Sequence, residues 1–264
     1  MRYDQAARNL LKDARQKIVA AFHGASTRRE NYLVWAAPGS GKTYFVQELA
    51  ASLKQVAGYR ELNFAELTEP AFRSALSDLA GLPGPCLCLI DEVDAKPDAN
   101  WPYELLLPHF DSTSVGAARH VFVVAGSSGL DLSGMKESIA SRPKGADLLS
   151  RIPNDNEYSV PSMGLGDRVV VALSQFRLAG KRLDRDVNEV EKLGLYYVAL
   201  NPRLTSARQL HELAIRSVER MSPGDDRIKY DNLFNPGDPE NKAFWGQSLP
   251  AAADLAGAYL LVRD

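Results

Sequence analysis

The sequence predicts an α/β fold, in which a parallel sheet flanked by helices is followed by an α-helical region. Two apolar runs, residues 86–90 and 121–125, are continuous rather than alternating, which is typical of strands buried on both faces of a parallel sheet. Helical patterns separate the predicted strands, whereas beyond residue 161 helical spacing dominates. We therefore expect an α/β domain over residues 1–161 and an α-helical lid domain over residues 162–264.

Helical spacing of apolar residues also predicts the individual helices. One helix is expected over residues 3–22, and another over 101–110 with an interruption at Pro108. Residues 127–145 form a polar, glycine-rich connection, and residues 222–241 are expected to be largely loop. In the C-terminal region the predicted helices lie around residues 169–176, 187–197, 210–218 and 250–262.

The composition is ordinary for a soluble globular protein, with 45% hydrophobic and 24% charged residues. A net charge of −2 gives no bulk attraction to nucleic acid, so DNA or RNA binding is not indicated unless a local patch supplies it. Cys86 and Cys88, the two cysteines, are interpreted as small buried side chains in a reducing cytoplasm. With no secretory signal and no apolar stretch of membrane-spanning length, we expect a cytoplasmic protein without a membrane partner.

The strongest signal is a predicted strand, loop and helix over residues 31–53. An apolar strand breaks into a small loop with glycines, and Lys42 and Thr43 open the helix. This order is the context of a phosphate-binding loop, in which backbone N–H groups and the helix dipole favour an anion. Lys42 is expected to contact the β- and γ-phosphates of ATP, and the Thr43 hydroxyl to ligate Mg²⁺. The expected nucleotide-binding residues are Ala36, Ala37, Pro38, Gly39, Ser40, Gly41, Lys42, Thr43 and Tyr44.

Two adjacent acids, Asp91 and Glu92, follow a buried strand. Ligands of a parallel sheet bind beyond the carboxyl ends of its strands, so these acids and the phosphate-binding loop should meet. Asp91 is expected to hold Mg²⁺ through water, and Glu92 to polarise the attacking water. The alternative is a solvated acidic turn, because Asp94 and Asp98 follow.

Residues 36–43 and 87–92 resemble the Walker A and Walker B motifs of the AAA+ ATPases, a superfamily of P-loop NTPases, although Ala36 stands where the first motif has glycine. A Cβ fits there if φ is negative. The resemblance implies ATP hydrolysis with Mg²⁺. It also implies a polar sensor after the next strand, for which Ser127 is favoured over Ser128. Asn63 matches a polar residue that holds the catalytic glutamate inactive.

The resemblance further implies two arginines. Arg151, with Arg142 as the alternative, corresponds to the arginine finger that acts on the nucleotide of a neighbouring subunit. Arg208, with Arg203 as second choice, corresponds to the second sensor of the lid. A finger acting on a neighbour implies a homo-oligomer, for which we expect a hexameric ring.

The resemblance leaves several functions open. AAA+ proteins that thread polypeptides carry an aromatic–hydrophobic–Gly tripeptide after the second strand, whereas this chain has Phe64-Ala65-Glu66 there, so threading is disfavoured. We expect an ATP-hydrolysing ring that remodels or assembles an unidentified protein partner. The alternatives are a replication-type clamp loader or initiator acting on DNA, and an ATP-dependent assembly or signalling switch.

Overall fold

The computed structural model describes residues 4–23, 30–53, 57–111, 120–235 and 237–262. The chain divides into two compact units, Ala6–Pro161 and Ser162–Asp264, and the second also includes the residues up to Gln5. Within the described ranges, no helix combines the length and the apolarity needed to cross a membrane.

The first unit is built on a five-stranded parallel sheet with the strand order β2-β3-β4-β1-β5. Because the strands are parallel, all their carboxyl ends lie at one edge, where ligands of such sheets bind. The predicted fold class is therefore confirmed. The strands are β1 Asn31–Ala36, β2 Gly58–Asn63, β3 Cys86–Asp91, β4 His120–Gly126 and β5 Glu157–Val160.

Helices cover both faces of this sheet, and each face has its own apolar core. Residues that alternate along a strand point to opposite faces, so Leu87 and Leu89 pack with the first two helices while Cys86, Cys88 and Ile90 pack with the other four. This double burial explains the continuous apolar runs. Both cysteines are fully buried and unpaired, as predicted, and burial raises the pKa of each thiol. The helices are α1 Gln5–His23, α2 Lys42–Ser52, α3 Glu69–Ala80, α4 Trp101–Phe110, α5 Leu132–Ala140 and α6 Gly145–Leu149.

Two details of the first unit differ from the prediction. Helix α5 lies inside the connection of residues 127–145. It has nine residues and buries only Met135 and Ile139, too few apolar positions to show a period. The expected interruption of α4 is also wrong, since Pro108 lies within the last turn of a continuous helix. A proline there removes one hydrogen bond close to the helix end, where the chain stops being helical anyway.

The second unit is mainly helical but also contains a three-stranded sheet of order β7-β6-β8. The predicted helix over 187–197 is therefore partly wrong, because Val190 belongs to β6 and the helix begins at Lys192. The predicted helix over 250–262 is also wrong: a 3-10 helix, Leu249–Leu255, ends before Gly257 (φ 70°) and strand β8 follows. Strands of two or three residues are too short to show alternation in a sequence. The elements are α7 Leu165–Arg182, β6 Glu189–Glu191, α8 Lys192–Leu200, α9 Ala207–Glu219, β7 Arg227–Ile228, α10 Tyr230–Leu233, α11 Pro239–Ser248 and β8 Tyr259–Leu261.

Candidate nucleotide-binding and catalytic site

The loop between β1 and α2 is folded tightly on itself. Both the backbone N–H and the hydroxyl of Ser40 donate to the carbonyl of Ala37, at 3.0 and 2.6 Å. Gly39 and Gly41 have φ of 75° and 91°, the left-handed region that glycine enters without steric cost. Ala36 instead ends the extended strand β1 and has no positive φ. This position therefore does not require the glycine of the motif.

Lys42, the first residue of α2, lies between the two predicted acids. Its Nζ is 2.8 Å from Oε1 of Glu92 and 3.3 Å from Oδ1 of Asp91. Burial alone would lower the pKa of Lys42, but the hydrogen bond to Glu92 and the charge of Asp91 outweigh it and raise that pKa. The structure thus brings the loop and the acidic end of β3 together, as expected from the sheet topology.

Glu92 has an unusual backbone conformation. Its φ is 53°, in the left-handed region, where a non-glycine residue costs about 1–3 kcal/mol; such residues are enriched at active sites. Its N–H donates to Oδ1 of Asp91 at 2.9 Å, and its side chain is 37% exposed. The conformation turns the chain immediately after β3 and leaves the Glu92 carboxylate open to solvent while it contacts Lys42.

The described residues fit a magnesium nucleotide. Mg²⁺ is commonly held by one or two carboxylates together with water and substrate phosphates, and Asp91 offers such a carboxylate beside the start of α2. Among the described residues, no group of three or more His, Cys, Asp or Glu side chains is arranged for a metal. The phosphates of a nucleotide would be further ligands of the ion. The side chains of Thr43 and Tyr44, which were also predicted here, lie outside the described part of the structure.

Asn63 lies next to the site without contacting the predicted catalytic glutamate. It is opposite Asp91 in the pairing of β2 with β3, but its Oδ1 accepts from the N–H of Ala65 at 2.8 Å. The Glu92 side chain is bonded to Lys42 instead. A direct hold of Asn63 on Glu92 is therefore not found in this conformation of the described residues.

The candidate sensor follows β4, the neighbour of both β1 and β3. The N–H groups of Ser127 and Ser128 both donate to Oδ2 of Asp94. The hydroxyl of Ser128 is enclosed by protein atoms, which makes Ser127 the better candidate for contact with a nucleotide. Sequence reasoning treated Asp94 only as part of a solvated turn and so missed this contact; its position two residues after Glu92 is the signal that was available.

The two candidate finger arginines have different surroundings. The guanidinium of Arg142 donates to the carbonyls of Asp94 and Ala95 and to the hydroxyl of Tyr103, so it is engaged within its own chain. Arg151 follows α6, and its guanidinium donates to the carbonyl of Asp147 at 2.7 Å. These contacts favour Arg151 over Arg142 as a residue that could face a neighbour.

Arg151 lies far from the phosphate-binding loop of its own chain. Its carbonyl accepts from Nδ2 of Asn31 at 3.0 Å, and Asn31 begins β1 whereas the loop follows the other end of that strand. At about 3.3 Å per residue, the two ends of this strand are about 17 Å apart. Arg151 is therefore placed at the edge of the sheet opposite the loop.

The candidate second sensors belong to the second unit. Arg208 is exposed in the first turn of α9, a helix capped by Ser206 and Gln209. Arg203 pairs with Asp238 at 2.7 Å. Arg208 remains a prediction from the resemblance.

Comparisons with known proteins agree with this architecture. Residues 32–133 match the model of the ATPase family associated with various cellular activities, AAA. A point mutant of RuvB from Thermotoga maritima superposes with a TM-score of 0.62 at 17% identity, over 86% of this chain and 68% of its own. The Aeropyrum pernix ORC1 protein in complex with DNA superposes with a TM-score of 0.60 at 15% identity, over 91% of this chain and 65% of its own. NtrX from Brucella abortus in complex with ADP superposes with a TM-score of 0.62 at 14% identity, over 96% of this chain and 60% of its own. A search of curated protein sequences gives no match.

Identities this low show a shared fold, and the chain spans about two thirds or less of the length of these structures. The strand order, the loop before α2 and the acids after β3 are the arrangement of a P-loop nucleotide-binding fold. The family match covers residues 32–133, so this part of the first unit is similar to the AAA ATPases, and the chain shares the fold of the structures named above.

Replacing Lys42 with Ala is expected to weaken ATP binding at least tenfold, about 1.4 kcal/mol, because the phosphates would lose their main cation while Asp91 and Glu92 kept their negative charge. Titration calorimetry with Mg-ATP measures the affinity. Lys17→Ala is the matched control, because Lys17 lies on α1 and pairs with Asp13, and it should bind like the wild type. Equal affinities for Lys42→Ala and wild type would contradict the assignment.

Proposed function

We propose that the chain is a cytoplasmic ATPase that hydrolyses ATP to ADP and phosphate, and that it acts as a subunit of a hexameric ring. The observation that carries the proposal is the contact of Lys42 with both Asp91 and Glu92. A phosphate-binding cation, a carboxylate suited to Mg²⁺ and a carboxylate suited to a water molecule share one site. The AAA family match and the buried free thiols of Cys86 and Cys88 support the proposal.

Each group of the site has a separate task. Lys42 and the N–H groups at the start of α2 bind the β- and γ-phosphates. Asp91 and Thr43 would hold Mg²⁺, which when bound neutralises phosphate charge. Once the phosphates engage the Lys42 ammonium, the Glu92 carboxylate is available to accept a proton from water. The water oxygen then bonds to the γ-phosphorus, and the bond from that phosphorus to the β-γ bridging oxygen breaks, which leaves ADP and phosphate.

The proposed ring follows from a shortage of positive charge at this site. Charge that develops on the γ-phosphoryl oxygens needs a further donor, and the fixed planar fork of arginine suits it. Arg142 is bonded to its own chain, and Arg151 lies at the opposite edge of the sheet. An Arg151 that serves the site must therefore come from a neighbouring subunit.

We propose a protein as the client of the ring, remodelled or assembled rather than threaded. Phe64, the aromatic residue at the position of the threading tripeptide, is fully buried. Its ring packs edge-on against the Phe72 ring, with 4.8 Å between the ring centres, and its centre lies 6.2 Å from that of the Trp101 ring. Because the Phe64 side chain is held in this core, it is not available to contact a polypeptide in a central pore.

Action on DNA is the second candidate, favoured by the similarity of fold to the ORC1 protein in complex with DNA. The net charge of −2 counts against it, because DNA binding depends on clustered cations. Phosphate release by the wild type should be measured alone, with duplex DNA, and with cell lysate treated with nuclease. If DNA stimulates phosphate release and the treated lysate does not, DNA rather than a protein is the client. If the chain assembles with bound ATP but releases no phosphate, it acts as a switch.

Replacing Glu92 with Gln is expected to leave ATP affinity near the wild-type value while hydrolysis falls by about two orders of magnitude or more, the usual scale for losing a general base. The amide cannot accept the proton, yet Lys42 and the loop still bind phosphate. Steady-state phosphate release and calorimetry measure the two effects. Glu66→Gln, an exposed glutamate on the turn after β2, is the control. Wild-type turnover by Glu92→Gln would show that Glu92 is misassigned.

Arg151→Ala is expected to bind ATP but to hydrolyse it slowly, because the neighbouring site loses its donor. Mixing it with Glu92→Gln should restore part of the activity, since some interfaces then pair an intact Glu92 with an intact Arg151. Subunit exchange must be demonstrated, for example by energy transfer between labelled chains. If two inactive proteins exchange subunits and stay inactive, Arg151 does not act on a neighbour.

A further inference from the structure

Asp94 joins the turn after β3 to the turn after β4. Its Oδ2 accepts the N–H of Ser127 at 2.8 Å and also the N–H of Ser128. Burial acts to raise the pKa of Asp94, but the hydrogen bonds from Ser128 and Ser127 outweigh it and lower that pKa. Asp94 is therefore an ionised acceptor of two charge-assisted hydrogen bonds, which are stronger than neutral ones.

The lack of a side chain at Gly126 leaves space for the Asp94 carboxylate. A Cβ added to Gly126 would lie 3.0 Å from Oδ2 of Asp94 and 2.6 Å from Sδ of Met135, so any larger residue at 126 would displace one of them. Glycine at the end of β4 thus permits the close approach of Asp94.

The backbone of the turn after β3 is held from the other side. Arg142 donates to the carbonyls of Asp94 and Ala95, and its guanidinium lies 5.9 Å from the centre of the Tyr103 ring. The Tyr103 hydroxyl donates to the carbonyl of Val93 at 3.1 Å. Tyr103 on α4 and Arg142 in the turn after α5 therefore hold the backbone around Asp94 in place.

Glu92 and Ser127 belong to different strands, and Asp94 is the side chain that ties their two turns together. We infer that Asp94 is a positioning residue that sets the spacing of Ser127 relative to Glu92, and that it thereby supports the hydrolysis step rather than the binding of ATP. The inference rests on the proposed ATPase function.

The first test separates turnover from binding. Asp94→Ala should lower kcat about tenfold or more, which corresponds to about 1.4 kcal/mol, while ATP affinity measured by calorimetry changes by less than about twofold. Asp94→Asn keeps an acceptor oxygen and should recover part of the lost kcat. If kcat stays at the wild-type value, or if the whole loss lies in ATP affinity, the inference is wrong.

Asp131 offers a matched control in the same region. Its Oδ1 accepts the N–H of Gly134 at 2.9 Å as the cap of α5, so it also binds a backbone N–H but does not join the two turns. Asp131→Ala should destabilise the fold and leave kcat unchanged. An equal fall in kcat for Asp94→Ala and Asp131→Ala would mean that general destabilisation explains the effect.

A second measurement does not depend on catalysis. Hydrogen exchange of the Ser127 and Ser128 amides should be faster in Asp94→Ala, or in Asp94→Asn if the alanine variant does not fold, and unchanged in Asp131→Ala. In a Ser127→Ala background, Asp94→Ala should lower kcat little further, because both changes act through the same residue. Unchanged amide exchange, or losses in kcat that multiply, would overturn the inference. A wild type that exchanges as expected but does not turn over ATP would instead reject the proposed function.

Discussion

The contact of the Lys42 ammonium with two carboxylates is the interaction on which the site of the first unit depends. Lys42 is 11% exposed, and a buried ammonium is costly unless it is paired. Here one cation faces Asp91 and Glu92, so the cluster has one negative charge in excess. A fold optimised for stability alone would do better with apolar residues of similar volume. The parallel sheet holds the three groups together, because β1 and β3 end at the same edge with β4 between them.

Much of this arrangement could be predicted from sequence, because the relevant signals are local. The continuous apolar run of β3 predicted burial on both faces, and the six residues of this strand are all buried. The loop before α2 was predicted from residue types whose backbone requirements are strict, and Gly41 does have a positive φ. The meeting of Lys42 with Asp91 followed from topology, since parallel strands place their carboxyl ends together.

The remaining features depend on contacts between residues distant in the chain. Asp94 and Ser127 meet across two strands, and the position of Asp94 two residues after Glu92 does not by itself identify Ser127 as its partner. The carbonyls whose contact with Arg142 favours Arg151 as the finger also belong to residues distant from Arg142 in the chain. In the second unit, β6 pairs with β7 and β8, and strands this short have no period of their own. Tertiary pairing decides such segments, so local propensity gives the wrong element.

The most direct test of this account is a crystal structure of the wild-type chain with Mg²⁺ and a non-hydrolysable ATP analogue. We expect that the β- and γ-phosphates occupy the loop before α2, that Nζ of Lys42 contacts them, and that the Glu92 carboxylate has left Lys42 to face the γ-phosphate. A nucleotide bound elsewhere, with Lys42 still paired to Glu92, would contradict it.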